Sequence, residues 1–569
     1  MSGPIPDASQ GEAQNNGVEK EAVVFSRSDE DVAAQTTVGL QRQLKARHLS
    51  MIALGGALGT GLVIGTGAGL ARAGPAPILI TYSLVGFVVY LVLGALGEMA
   101  TWIPLESGFS GYTSRYVDPA MGFAVGYCYW FKYLFLPPAQ LTAAALVLEY
   151  WVPRERVNPG VWIAIFLVVI VFINLFGVAV FGEMEFYLSA IKILVVLGIL
   201  ILSLILVCGG GPNHHTYGFH YWSKPGAFNP YIGSGNSGRF LAILSVLVTA
   251  TYAFLGTELI CITFGEAANP RRNIPRAIRL TFYRILVFYI LSILFLGMLV
   301  PYSSDKLKTA ISKSTSADAS PFVVAFRIAG VKVIPGFLNA CFLIFVFSAA
   351  NSDLYIASRT IYGLAAEGLA PRFLAHTTRN GVPIYSLLLS SVFACIGFLN
   401  VHTSSATIFN YFTNLVTVFG ILTWISVLVT HIFFVRARRA QGIPDSSLNY
   451  VAPFGLWGTY GGLAVCIFIA LCKNYSVFVH SSKTSGHYGN FDYKNFITGY
   501  LGIPIYLVML FAFKFIKKSR GVGPREADLF SGKKEVDDEE IEYLELEKQA
   551  ARARGTNVSR MYRFVSWLF

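Results

Sequence analysis

Four ionisable residues stand inside long apolar runs: Lys132, Lys192, Glu258 and Asp353. A charge at the centre of a bilayer costs about 2.5–3.5 kcal/mol on insertion scales, so residues at that depth usually line a solute or proton pathway. Lys132, Leu136 and Gln140 repeat every four residues, which places them on one helix face. Two interpretations follow: these groups bind a charged solute and move protons, or Lys132 and Asp353 form an ion pair that only holds helices together.

Glycines interrupt two of the apolar runs. One interruption is Gly59-Thr60-Gly61, and the other is Phe254-Leu255-Gly256-Thr257, directly before Glu258. Each glycine lowers helix stability by about 1 kcal/mol relative to alanine, so an opened or closely approached backbone is expected there. Broken helices of this kind form the midplane sites of secondary transporters. The alternative is close helix packing, since Gly55 and Gly59 have the small-residue spacing of helix contacts.

The open backbone at the two breaks suits the two ends of an α-amino acid. The N–H groups of Thr60 and Gly61 suit a carboxylate, and carbonyls at the breaks suit an ammonium group. We therefore predict a substrate site formed by both breaks and by the helix face that carries Lys132 and Gln140. The predicted substrate-binding residues are Ala57, Gly59, Thr60, Gly61, Lys132, Gln140, Tyr252, Ala253, Phe254 and Leu255.

The composition indicates a membrane protein. Hydrophobic residues make up 54% of the chain and charged residues only 13%, against about 25% charged in soluble domains. The net charge of +12 does not indicate nucleic-acid binding, because the basic residues cluster beside apolar runs. The cysteines and histidines show no metal-ligand spacing, and no nucleophile or zinc-protease motif is present. We therefore expect no enzyme, catalytic residue, metal site or cofactor.

Twelve apolar runs are long enough to cross a bilayer, at roughly 20 residues each. The first extends from Leu49 to Ala71, the third from Met121 to Trp151, the fourth from Val161 to Val180 and the sixth from Phe240 to Phe264. Basic clusters fall on one side under strict alternation, which predicts that both termini are cytoplasmic. The expected fold is an all-α membrane protein of about 12 helices, with a LeuT-like inverted five-helix repeat and two further helices. The predicted segments are a disordered tail (1–47), a first repeat (48–208), a second repeat (209–435), two C-terminal helices (436–518) and a tail (519–569).

Other charged positions are predicted to be less informative. Five residues near the ends of runs are expected to reach water by extending along the helix. The acidic block Glu535 to Glu547 is interpreted as a short solvated helix, with a docking or trafficking segment as the alternative. The five residues near helix ends are Arg72, Glu98, Glu149, Arg359 and His431.

Several short motifs resemble the yeast and fungal amino-acid transporter family of the amino acid–polyamine–organocation superfamily. The resemblance extends from about residue 40 to residue 518, and loop motifs of this length are highly specific. It implies a permease of the plasma membrane rather than a channel or an enzyme. The motifs are Gly59-Thr60-Gly61, Gly97-Glu98-Met99-Ala100, Glu106-Ser107-Gly108 to Tyr112, Glu266 to Arg272 and Asn351 to Tyr355.

Within that family, the segment from Phe131 to Ala143 resembles the dicarboxylic amino-acid permeases. The resemblance implies a proton-coupled symporter that imports aspartate and glutamate, with proton coupling at Glu258 and with Lys192 in a place that sodium occupies in sodium-coupled relatives. Asp353 is expected to relay protons or to pair with Lys132. The alternatives are a broad-specificity permease and a transporter-like nutrient sensor. The tails are expected to contact trafficking or ubiquitin-ligase adaptors.

Overall fold

The computed structural model describes residues 58–105, 108–258, 270–305, 320–331, 333–479 and 491–534, with Met51, Leu307 and separate positions between 536 and 549. Regular structure in these residues is helical throughout. The α-helices are α1 (Thr66–Ala73), α2 (Pro75–Trp102), α3 (Gly108–Tyr116), α4 (Pro119–Leu148), α5 (Pro159–Leu175), α6 (Val178–Val207), α7 (Gly235–Ser245), α8 (Leu247–Phe254), α9 (Pro270–Arg284), α10 (Leu291–Leu299), α11 (Pro321–Ile328), α12 (Ile334–Ala366), α13 (Ile384–Ala394), α14 (Ser405–Ala440), α15 (Gly455–Cys472), α16 (Tyr493–Tyr500) and α17 (Gly502–Lys517).

The predicted all-helical membrane architecture is confirmed. Nine helical stretches among the described residues are long and apolar enough to cross a bilayer, and α16 with α17 forms a tenth that bends by 43°. The fourth predicted span corresponds to the shorter apolar helix α5, and α1 lies at the end of the first predicted span. The nine are Pro75–Trp102, Pro119–Leu148, Val180–Val207, Gly235–Phe254, Arg271–Leu299, Ile334–Ala366, Ile384–Val401, Ser405–Ala440 and Gly455–Val477.

Both glycine interruptions change the course of the backbone. A wide π-helical turn, Gly61–Gly65, precedes α1. At the second interruption α8 ends at Phe254, Leu255 turns to an extended conformation with ψ of 144°, and Gly256 has a φ of +91° that favours glycine. The helix therefore stops just before Glu258, as the sequence predicts. The structure describes no part of the sixth run between Glu258 and α9.

The two interruptions also touch each other. A Cβ atom on Gly61 would lie 2.8 Å from the backbone nitrogen of Ala253, which is closer than real side chains approach. Gly65 faces Thr249 in the same way, at 3.1 Å. The glycines of the first run thus serve both purposes considered above, since they open the helix and let the backbone of α8 pack against it.

Helix α4 lies at the centre of the bundle and packs most extensively against α12 and α14. Pro137 and Pro138 lie inside it, and a proline frees the carbonyl one turn earlier and bends the helix. Lys132 and Gln140 lie on its buried face. The helix therefore carries these two polar side chains into the middle of the protein.

Candidate substrate and proton site

A chain of hydrogen bonds connects four segments at the first interruption. Thr60 Oγ1 donates to Gln140 Oε1 at 2.9 Å, so the Tyr252 hydroxyl, 3.1 Å from Thr60 Oγ1, donates to Thr60. Gln140 Nε2 donates to Asp353 Oδ2 at 3.1 Å. All four residues are buried. The structure thus brings together predicted site residues from the first run, α4, α8 and α12.

Lys132 forms an ion pair with Glu258. The Lys132 side chain is fully buried and that of Glu258 is 2% exposed. The ammonium group also lies over the rings of Tyr133 and Tyr129, 4.5 and 5.2 Å from their centroids, in the geometry of a cation–π contact. The interpretation that Lys132 forms an ion pair with Asp353 is therefore wrong. The break after α8 brings Glu258 to Lys132, and Asp353 accepts a hydrogen bond from Gln140 instead.

Lys192 belongs to a second buried cluster that joins α6 to α12. Its ammonium lies 3.1 Å from Glu185 Oε1 and donates to Ser348 Oγ at 2.8 Å, while Ser348 Oγ donates to Glu185 Oε2 at 2.7 Å. Glu185 is not among the site residues predicted from the sequence. Its spacing from Lys192, two helical turns, was the available signal, because it places both on one face. The role of Lys192 as a substitute for sodium stays a prediction.

The remaining predicted site residues lie at the breaks. The side chain of Phe254 stacks on Tyr289 with ring centroids 4.6 Å apart, so it faces the apolar packing beside α8. The carbonyl of Phe254 accepts a hydrogen bond from Thr257 Oγ1 at 2.5 Å, which stabilises the turn. The nearest atom to a Cβ on Gly59 would be Ala349 Cβ at 4.0 Å. Ala57 lies outside the described residues.

Three residues expected to reach water at helix ends are buried instead, which corrects that prediction. Glu98 Oε2 lies 3.2 Å from His431 Nε2 and accepts the backbone N–H of Ala452 at 2.8 Å. Glu149 accepts a hydrogen bond from Ser405 Oγ at 2.8 Å. Position along a helix did not reveal their burial, because neighbouring helices and loops cover these ends. Arg72, in contrast, is exposed, as predicted, and donates to the carbonyl of Ser245.

The C-terminal tail packs on the bundle. Leu529 is fully buried and its carbonyl accepts from Trp102 Nε1 at 2.8 Å. Arg115 at the end of α3 lies 3.0 Å from Asp528 Oδ2. Arg271 on α9 pairs with Asp537 and with Glu540. The described part of the acidic block is helical, as the sequence predicts, but Asp537 and Glu540 dock it on α9. Its interpretation as a solvated helix therefore holds only for the exposed positions, which include Ile541, Leu544 and Glu545. We name these five residues, Arg115, Arg271, Asp528, Asp537 and Glu540, the tail clasp.

Hydrogen bonds at the tail clasp favour ionised carboxylates. Desolvation would raise the pKa of Asp528, but the N–H groups of Ser531 and Phe530 and the Arg115 guanidinium outweigh it and lower that pKa to about 2. Desolvation would also raise the pKa of Asp537, but hydrogen bonds and the charges of Arg271 and Lys533 lower it. These shifts favour the charged forms of Asp528 and Asp537 at neutral and mildly acidic pH.

Comparison with known proteins agrees with the geometry. The family model described as "Amino acid permease" matches residues 48–521. The dicarboxylic amino acid permease of Saccharomyces cerevisiae is 50% identical over 93% of this chain and 87% of its own length. An uncharacterised amino-acid permease of Schizosaccharomyces pombe is 44% identical over 91% of this chain and 98% of its own length.

Relatives with other stated specificities are also similar. The basic amino-acid permease of Saccharomyces cerevisiae is 39% identical over 92% of this chain and 91% of its own length. These relatives are permeases, which are transporters rather than enzymes, and their similarity covers nearly all of the helices described above. The chain therefore belongs to the amino acid permease family.

Proposed function

We propose that this permease is a proton-coupled symporter of the plasma membrane that imports aspartate and glutamate by alternating access. The observation that carries the proposal is Lys132, a fully buried cation on the face of α4 that also carries Gln140. An α-amino acid presents its ammonium and α-carboxylate to any member of such a fold. A second carboxylate needs a cation of its own, and Lys132 supplies one.

The two broken segments suit the common part of the substrate. Thr60 and Gly61 lie at the start of the π-helical turn, where N–H groups lack helical partners, and such groups favour the α-carboxylate. The ammonium group is expected at the carbonyls beside Ala253 and Leu255. In this proposal one bundle of helices rocks against the rest around the bound amino acid, so that the site faces each side of the membrane in turn.

Coupling to protons follows from the charge of the substrate. Moving one net negative charge into a negative interior costs about 2.3 kcal/mol per 100 mV, so one co-transported proton only cancels the charge of aspartate. Uptake driven by the membrane potential needs at least two protons. Glu258 and Asp353 are the acids at the site that serve this purpose, because both are buried and both contact substrate-site residues.

A broad-specificity permease is the second candidate. Lys132 is already neutralised by Glu258, and Asp353 leaves one negative charge in excess if both acids are ionised. Such a site favours a neutral or basic side chain unless one acid takes up a proton. Relatives named for basic amino acids and for proline share the family, at 39% and 38% identity.

Uptake assays in cells that lack their own amino-acid permeases separate these candidates. We expect radiolabelled aspartate to accumulate, with faster uptake at acid pH and no effect of replacing sodium. Unlabelled glutamate should compete strongly, whereas lysine and leucine should compete weakly. Equal competition by glutamate, lysine and leucine would leave only the broad-specificity candidate, and a sodium requirement would contradict proton coupling.

A further inference from the structure

We infer that the side-chain carboxylate of the substrate replaces Glu258 on Lys132, and that Glu258 takes up a proton in the exchange. The inference rests on the proposed function and specifies its coupling step. It starts from one fact: the cation best placed to recognise a second carboxylate is already occupied by a carboxylate of the protein. The substrate competes with Glu258 for the same ammonium group.

The surroundings of Lys132 do not favour two ionised carboxylates. The Lys132 side chain is fully buried against the rings of Tyr129 and Tyr133, so little water is present to screen repulsion between two anions. Asp353 also acts electrostatically on Lys132 and would add to this repulsion. Two carboxylates that share such a site raise one another's proton affinity, so one of them is protonated.

The other titratable groups around the pair do not replace Glu258 in this role. Cys128 lies one turn before Lys132 on α4, and its thiol donates to the carbonyl of Phe419. On α12, Asp353 is held by Gln140. Glu185 and Lys192 act on Asp353 and neutralise each other. Among these groups, Glu258 alone is in direct contact with the Lys132 ammonium.

Glu258 is well placed to change its protonation state. Only one of its oxygens contacts Lys132; Oε2 is buried and has no hydrogen-bond partner among the described residues. A proton added to Oε2 therefore displaces no hydrogen bond from those residues. Glu258 also follows the break at Gly256, outside regular helix, so its position is not imposed by a helical backbone.

The step balances in protons and charge. A proton from the outer solution binds the Glu258 carboxylate, the ion pair with Lys132 breaks, and an ion pair forms between Lys132 and the side-chain carboxylate of the substrate. On the inner side the substrate leaves, Glu258 releases the proton and pairs with Lys132 again. One proton and one negative side chain cross together, so this exchange moves no net charge.

The pH dependence of glutamate binding tests the exchange. With the purified protein in liposomes, glutamate affinity in the unmutated protein should fall about tenfold per pH unit above the pKa of Glu258, because only the protonated fraction binds. A range of pH 5.5–7.5 keeps the side chain of glutamate ionised. Glu258→Gln should bind glutamate with a KM that changes at least tenfold less over this range, because Asp353 is then the only acid of the site left to take up a proton. It should retain exchange of internal for external glutamate but lose concentrative uptake.

Two further variants keep the test decisive. Glu149→Gln removes another buried acid of the α4 region, one outside the site, and should keep the pH dependence of the unmutated protein. Lys132→Gln combined with Glu258→Gln removes both members of the ion pair, so neither is left without its partner, and it covers the case in which Glu258→Gln alone fails to fold. The double variant should bind glutamate and glutamine equally, with no more pH dependence than Glu258→Gln.

The outcomes separate this inference from the proposed function. If the unmutated protein does not transport glutamate, both fail. If it transports glutamate with protons but Glu258→Gln keeps the steep pH dependence, the proposed function stands and the exchange at Lys132 is wrong. A double variant that still prefers glutamate to glutamine would overturn the exchange in the same way.

Discussion

Ion pairs occur in two different settings in this protein, and the contrast shows what each can do. Lys132 and Glu258 are both buried inside the bundle, whereas Asp528 and Asp537 of the tail clasp have exposed fractions of 46% and 37%. Removing one partner of a buried pair leaves a charge without compensation, at about 3–5 kcal/mol, while exposed pairs contribute about 0–1 kcal/mol. The buried pair can couple binding to protonation, and the clasp can hold a segment that is released at little cost.

The clasp still connects parts of the molecule that matter for transport. Arg271 lies on α9, the first described helix after the broken sixth run, and Arg115 lies on α3. The tail thus contacts both the beginning of α9 and the end of α3. Four predictions test the contrast between the two regions, beginning with the largest expected effect.

Gly61→Val should abolish transport while the protein still reaches the membrane. A β-branched side chain would meet the backbone of Ala253 and close the gap between the two broken segments. Uptake of labelled aspartate measures the loss, and fluorescence of a tagged protein measures its location. Gly198→Val is the matched control, because no atom lies within 4 Å of a Cβ at Gly198. Normal uptake by Gly61→Val would remove the first run from the substrate site.

Lys132→Gln should weaken aspartate and glutamate uptake at least tenfold and lower the stability of the protein. The stability cost should be about 3–5 kcal/mol if Glu258 stays ionised, because a buried carboxylate then lacks its partner. Thermal unfolding in detergent at pH 7.5 and at pH 5.5 measures this cost. We expect it to shrink at the lower pH, since protonation removes the unpaired charge. Unchanged glutamate affinity in this variant contradicts the acidic-substrate proposal.

Arg271→Gln should have a smaller effect. It removes the partner of Asp537 and Glu540, so the tail should become easier to cleave by protease while uptake falls by less than about threefold. Arg279→Gln, an exposed arginine on the same helix, provides the control. Complete loss of uptake in Arg271→Gln would mean that transport requires the tail clasp, and that the clasp does more than hold the tail in place.

The smallest effect is expected from pH on the clasp. The pKa of Asp528 is lowered from 3.8 to about 2, so its stabilising contribution is present above pH 3.8 and is lost as the pH falls towards 2. The pKa of Asp537 is also lowered, so its contribution too is lost only in acid below the usual pKa of an aspartate. Protease protection of the tail should therefore stay constant between pH 7.5 and 5.5, where glutamate affinity changes. It should decrease in high salt, which screens partly exposed charges. A tail released at pH 5.5 would contradict this distinction.

Much of the architecture is readable from the sequence because it depends on local properties. A run of about 20 apolar residues must form a helix in lipid, since no water is present to bond the backbone. Gly61 and Gly256 likewise predicted the two breaks, because glycine lacks a Cβ and destabilises a helix wherever it occurs. Membrane-depth charges such as Lys132 were identified for the same reason: their cost depends on depth alone.

The partner of each charge was decided only by the tertiary structure. Lys132 and Glu258 are 126 positions apart, and their contact depends on how α4 packs beside the break after α8. Helix packing also decides the contacts of Glu185 with Ser348 and of Glu98 with His431, and the docking of the tail on Trp102. Hydrophobic length and glycine content act on the residues of one segment. An ion pair requires two segments at one place, and this information lies in the packing of the helices rather than in either segment.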